Sequence, residues 1–292
     1  MGECYSPLHD NFHQMNLKNW LQYAAEKLKF TTNTSKLDAE VLLTHALHIN
    51  KAQIYAHPER EISSHALEIL DTHLKQRLTG IPIAYILGEK EFWSLSFKVT
   101  SDVLIPRPET EHLVETVLEL LSESEEKILE LGTGSGAIAI ALAKERPQWN
   151  ILACDYSKAA LAVAQENAMH LLPPHQKSLS FCHSNWFKNI PQQTFSAIIS
   201  NPPYIANHDP HLKNLQHEPI KALTSGCDGL DDIRKIITQS PSYLQSGGIL
   251  LLEHGYNQAD AIKQLFDEMH FIHVNTFKDL GHHDRITFGF MD

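Results

Sequence analysis

The chain is 292 residues long, with 42% hydrophobic residues, 20% charged residues and a formal net charge of −11. That length predicts two domains, or one large domain with an extension; no apolar run approaches the roughly 20 residues of a membrane span, and the acidic balance weighs against a broad nucleic-acid footprint, whose phosphate contacts come from Lys and Arg. The start, MGECYSPLHD, carries Glu3 and Asp10 and lacks the basic head and apolar centre of a secretory signal, so a cytoplasmic protein is expected.

In chain order, Leu17, Trp20, Leu21, Ala24 and Leu28 fall on one helical stripe. A second helix is expected behind a Thr34/Ser35 cap, with Val41, Leu42, Ala46 and Leu47 buried and Asp38 and Glu40 in its first turn, where carboxylates suit the helix dipole. A third starts near Ser63 or Ser64, carries Ala66, Leu67, Leu70 and Leu74, and runs out at Gly80. These predict a small helical bundle over residues 12–80. From Ile81 the pattern changes to short β-like runs at Phe92-Trp93, 95–99 and 103–105, read as a hairpin over 81–105 that links two domains. Pro108 is placed to open a helix bearing Leu113, Val114, Val117, Leu118 and Leu121.

Over 106–292 strands and helices alternate. Strands are expected at 127–131, 150–154, 179–182, 195–200 and 248–252, with helices from Ala137, over 158–170 and near 258–269, and a closing strand pair near 271–277 and 285–290. Repeated βα units imply a parallel sheet with helices on both faces, and the closing pair, with no long helix between its members, implies an antiparallel last strand. Cys4, Cys154, Cys182 and Cys227 form no CxxC pair. No HExxH occurs among the 19 histidines, His282-His283 is adjacent rather than at i, i+4 spacing, and His208 and His211 lie in a Pro-containing loop, so no metal site is expected.

Two stretches carry chemistry. Gly132-Thr133-Gly134-Ser135-Gly136 leaves the first strand of the sheet and enters a helix, letting a ligand approach the backbone and the helix N-terminus. Asp155 ends the second strand, where a carboxylate can accept both ribose hydroxyls. Together they predict a nucleoside cofactor. Read as Gly132-x-Gly134-x-x-Ala137, the turn also fits a dinucleotide fingerprint, so NAD stays open, as does a turn serving only strand-helix packing. The second stretch is Asn201-Pro202-Pro203-Tyr204, directly after the apolar fourth strand. Its prolines stiffen the corner, and the Asn201 side-chain oxygen and the Pro202 carbonyl, both acceptors, suit a planar NH2 group, with Tyr204 as an apolar wall. The bland alternative is an ordinary Asn-Pro turn. If the first and fourth strands are neighbours, both stretches face one cleft, and a planar NH2 beside an adenosyl cofactor suggests methyl transfer from S-adenosylmethionine.

The order of these motifs resembles class I methyltransferases that modify planar nitrogens. With Gly80 to Gly88, the run Leu104-Ile105-Pro106-Arg107-Pro108-Glu109-Thr110-Glu111 and Ser200 to Ile205, it resembles the HemK/PrmC family of peptide-chain release factor glutamine methyltransferases. The resemblance implies a class I S-adenosylmethionine-dependent, Rossmann-like α/β sheet over 106–292, a linking β-hairpin over 81–105, and a helical domain over 12–80 that reads the release factor. It implies methylation of the side-chain amide nitrogen of the Gly-Gly-Gln glutamine in class I release factors, giving N5-methylglutamine. S-Adenosyl-L-methionine would be held by Gly132, Thr133, Gly134, Ser135, Gly136, Asp155, Trp186 and Asn201, and the glutamine framed by Asn201, Pro202, Pro203 and Tyr204. Asn185 stands beside Trp186 where the family often has Asp, and Glu130 stands either near the charged end of the cofactor or as a structural acid. The expected partner is a protein, without direct nucleic acid or membrane, and the expected state a monomer. Alternatives are a ribosomal-protein glutamine methyltransferase, an adenine-N6 methyltransferase acting on nucleic acid, and a non-catalytic nucleotide-binding module.

Overall fold

The computed structural model describes residues 15–292 apart from Lys177, so MGECYSPLHD, Cys4 and the first three residues of the expected 12–80 bundle lie outside the described residues. The chain divides into two compact units, one ending at Gly88 and one beginning at Glu89.

In the first unit, helix α1 (Leu17–Leu28) buries all five residues of the predicted stripe, and its Asn16 cap accepts from Asn19 N at 2.9 Å. Helix α2 (Ser35–Leu47) differs from expectation: its buried apolar residues are Ala39, Leu42 and Leu43, while Val41, Ala46 and Leu47 are half-buried. The face turns because Asp38 and Glu40 are themselves buried and must be paired. Asp38 accepts from Arg77 Nε at 2.7 Å and Thr34 Oγ1 at 2.8 Å, and Glu40 meets Lys51 Nζ at 2.6 Å and the Tyr55 hydroxyl. A capping box between Asn50 and Gln53 opens the short α3 (Lys51–Ala56). Helix α4 (Ser64–Leu78), capped by Ser63, buries the predicted Ala66, Leu67, Leu70 and Leu74, and a single turn follows as α5 (Ile83–Leu87).

The second unit begins with the hairpin β1 (Glu89–Phe92) and β2 (Leu95–Lys98), joined through Trp93 and Ser94 at φ 53° and 57°. The ladder therefore occupies only part of 81–105. Residues 103–105, expected to be strand-like, form none, and Ile105 N donates instead to the Glu218 carboxylate at 3.2 Å. A single 3-10 turn, Pro108–Thr110, leads into α6 (Glu111–Leu120).

The chain then runs through β3 (Lys127–Leu131), α7 (Ala137–Glu145), β4 (Asn150–Asp155), α8 (Lys158–Leu171), β5 (Leu179–His183), β6 (Phe195–Ser200), α9 (Asp231–Gln239), β7 (Leu244–Glu253), α10 (Ala259–Glu268), β8 (Phe271–Lys278) and β9 (Asp284–Met291). The strands form one sheet in the order β5-β4-β3-β6-β7-β9-β8, parallel as far as β7, with β9 antiparallel to both neighbours. This is the expected α/β architecture, with α9 as an unpredicted helix. Side chains alternate across the sheet, Ile128, Ala197 and Ile249 packing on one face with α6 and α7, and Leu129, Ile198 and Leu250 on the other with α9 and α10. The chain moves outward from β3 to β5 and then crosses back to β6, so the carboxyl ends of β3 and β6 flank the switch point where such sheets bind ligands. Among the described residues no helix is long and apolar enough to cross a membrane.

Candidate active site

The turn after β3 is built from backbone. Gly132 and Gly134 have φ of 76° and 56°, which a side chain would strain. The N–H groups of Gly132 and Thr133 both donate to Cys154 O at 2.9 Å, fastening the turn to the end of β4. Asp155 completes it, accepting from Gly134 N at 2.9 Å and Ser157 N at 2.8 Å. Burial holds the Asp155 carboxyl above the usual carboxylate range, against the lowering effect of these donors.

Trp186 lies over the turn, and a Cβ placed on Gly132 would meet its ring at 3.7 Å. Three ties keep it there. The residue sits at φ 50°, its carbonyl accepts from Ser184 Oγ at 2.6 Å, and its Nε1 donates to Asp232 Oδ1 at 3.1 Å. Asp232, in the first turn of α9, is fixed in turn by Ser225 Oγ at 2.8 Å and Lys235 Nζ at 2.8 Å.

These groups open onto a cavity of about 760 Å³ whose lining includes Gly132, Gly134, Asp155, Asn185, Trp186 and Asn201. A nucleoside cofactor fits it: the glycines leave the backbone open to close approach, Asp155 offers a carboxylate, and the indole offers a flat face. Thr133, Ser135 and Gly136 do not line the cavity. Thr133 Oγ1 donates to Glu130 Oε2 at 2.6 Å, Ser135 O accepts from Asn167 Nδ2 at 2.9 Å, and a Cβ on Gly136 would lie 2.9 Å from Ile140 Cδ1. They shape the turn from behind. Glu130 does not line the cavity either; it is buried under the turn, its Oε1 has no hydrogen-bond partner among the described residues, and burial pushes its carboxyl up to about 7.

The corner after β6 is built differently. Ser200 Oγ donates to Leu131 O at 2.7 Å, locking the ends of the neighbouring strands β6 and β3 together. A second cavity, of about 350 Å³, lies beside the first, with Pro202, Tyr204, Arg107, Glu109, Glu253 and Arg285 in its wall. Pro203 lines the larger cavity, and Asn201, Leu104 and Ala222 line both. Asn201 thus stands at the junction. Its Nδ2 donates to Thr110 Oγ1 at 3.1 Å, and Thr110 donates to Glu253 Oε2 at 2.7 Å. The Tyr204 carbonyl accepts from Gln258 Nε2 at 3.0 Å and is so close to Gly229 that a Cβ there would come within 2.1 Å of it. Burial raises the Tyr204 hydroxyl above its ordinary range, and the neighbouring Glu253 adds to this. Glu218 holds the facing segment, accepting from Arg107 Nη2 at 2.5 Å as well as from Ile105 N.

Sequence reasoning missed Thr110, Glu253, Gln258, Gly229 and Asp232. A signal existed for Glu253: an acid ending a buried strand is what singled out Asp155. Thr110 lies inside the Leu104 to Glu111 run, where nothing in the local pattern marks it.

The chain matches the family model described as PrmC N-terminal domain over residues 19–88, and the one described as methyltransferase small domain over 109–278. It is 46% identical over 269 residues to the release factor glutamine methyltransferase of Coxiella burnetii, covering 91% of this chain and 96% of that protein. To the protein of the same name from Escherichia coli (strain K12) it is 42% identical, covering 94% and 99%. Among solved structures, a methyltransferase from Pyrococcus furiosus superposes with a TM-score of 0.52 at 18% identity, covering 75% of this chain and 98% of that one, a likeness of fold.

Proposed function

The chain belongs to the release factor glutamine methyltransferase family, and from that premise we propose that it transfers a methyl group from S-adenosylmethionine to the side-chain amide nitrogen of the Gly-Gly-Gln glutamine in class I release factors, giving N5-methylglutamine. The observation that carries this reading is the place of Asn201, shared between a cofactor-sized cavity and a smaller one walled by Pro202 and Tyr204.

When bound, the cofactor supplies an electrophilic methyl on a sulfonium. Asp155 would accept the ribose hydroxyls, Gly132 and Gly134 would let the backbone close on the nucleoside, and Trp186 would cover the base. An amide nitrogen is a poor nucleophile because its lone pair is delocalised into the carbonyl, so the chain must position more than activate. Asn201 Oδ1 and the Pro202 carbonyl accept the two N–H bonds of the glutamine, and Tyr204 walls it against water. The lone pair then turns toward the larger cavity. Fixing reactants in this way supplies several kcal/mol, up to about 7 to 11 in ideal intramolecular cases. The one side-chain hydrogen bond of Asn201 among the described residues goes to Thr110, and transfer itself requires no base, since the proton can leave afterwards. The helical unit and the hairpin read the release factor, and the chain acts as a cytoplasmic monomer with no direct contact to nucleic acid.

Mass analysis of a release factor incubated with this protein and S-adenosylmethionine tests the reading. The expected result is one added methyl on the Gly-Gly-Gln glutamine. Methylation of a ribosomal protein or of adenine instead would keep the chemistry and overturn the substrate.

A further inference from the structure

An Asn side chain presents an oxygen on one side and an NH2 on the other, and a site that must accept N–H bonds works only with the oxygen facing the substrate. Nothing in Asn201 itself chooses that orientation. The choice is made two residues away. Thr110 has one hydroxyl proton and gives it to Glu253 at 2.7 Å, which leaves only lone pairs facing Asn201. The Asn201 NH2 donates to them at 3.1 Å, whereas its oxygen in that place would meet another acceptor.

We propose that Thr110 and Glu253 are positioning residues that fix the direction of the Asn201 amide, holding its NH2 back so that Oδ1 faces the substrate nitrogen. This rests on the methyl-transfer reading for its effect on rate, and on the hydrogen bonds alone for its effect on Asn201. The direction holds while Glu253 is an acceptor. A protonated Glu253 can donate to Thr110, which frees the Thr110 proton to face Asn201 and removes the preference. Burial pushes the Glu253 carboxyl up to about 7; the Thr110 hydrogen bond, Arg285 and Arg107 oppose that rise, Glu109 adds to it, and Glu253 in turn raises the Tyr204 hydroxyl. His254, the next residue, is turned away, its ring nitrogens bonded to Gly255 O and Thr287 Oγ1.

The test combines the side-chain amide signal of Asn201 in the ¹⁵N-labelled full chain, assigned by its loss in Asn201→Asp, with single-turnover transfer to a release factor. In the wild type the signal should move with pH through one proton near 7, and in Glu253→Gln it should not. Thr110→Val should displace the signal and slow transfer by about 100-fold while cofactor affinity stays within about threefold, and Thr110→Ser should restore both. A wild-type signal that ignores pH and Glu253→Gln overturns the relay without any need for Thr110→Val to fold. So does a Thr110→Val enzyme of normal rate beside a strongly slowed Asn201→Ala. The expected movements of the signal in a chain that leaves the release factor unmethylated would uphold the relay and remove the substrate assignment.

Discussion

The two corners at the carboxyl ends of β3 and β6 are neighbours, yet they are held by opposite means. The turn at 132–136 is fixed by main-chain N–H groups, donated to Cys154 O and to Asp155 within about two dozen residues of chain. The corner at 201–204 is fixed by side chains from far away: Thr110 lies 91 positions before Asn201, Glu253 143 positions after Thr110, and Gln258 54 positions after Tyr204. A cofactor-holding turn needs shape, which backbone supplies. A substrate-orienting amide needs a defined hydrogen-bond direction, which here the side chains of Thr110 and Glu253 supply.

The largest expected effect is a pH dependence that the two corners share. Glu130 supports the first and Glu253 the second, and burial raises both carboxyls to about 7. A raised carboxyl keeps its proton in the folded chain after the unfolded chain has released it. The associated stability is full below about pH 4.5 and is lost as pH rises through about 7, on the order of 3 kcal/mol for each group. In urea unfolding at pH 5 and pH 8, Glu130→Gln and Glu253→Gln should each lose less stability than the wild type across that interval. Parallel curves would show that neither burial acts through its proton.

Gly229→Ala comes next. It forces a Cβ against the Tyr204 carbonyl at φ 80°, and should destabilise by about 2 to 3 kcal/mol while slowing transfer more than it weakens cofactor binding. Equal losses of both would mean that the corners are one mechanical unit. The smallest effect is expected from Trp186→Phe, which keeps a ring over Gly132 but removes the 3.1 Å bond to Asp232. Cofactor affinity, read by calorimetry, should weaken by about 1 kcal/mol with the transfer rate at saturation unchanged.

The same contrast explains what was legible in the sequence. The sheet was readable because buried parallel strands such as 195–200 are continuous apolar runs, and the glycine turn because its geometry is local. Helix α9 was missed although Ile233, Ile236 and Ile237 carry its buried face, since nine residues after a long irregular stretch give only about two and a half turns of period. Residues 103–105 read as a strand because apolar runs look alike, whereas their backbone partner is the distant Glu218. In helix α2 the stripe was misplaced because pairing with Arg77 and Lys51 let Asp38 and Glu40 go inside. At the site, Asn201 announced itself beside two prolines, but the Thr110 and Glu253 that orient it carried no local pattern.

The most direct measurement is made on Asn201→Ala, comparing its single-turnover methyl transfer to the release factor with its affinity for S-adenosylmethionine. The account predicts a rate lower by about 10²- to 10³-fold, with cofactor affinity changed far less. A variant that transfers methyl at close to the wild-type rate would contradict the claim that this side chain orients the substrate amide.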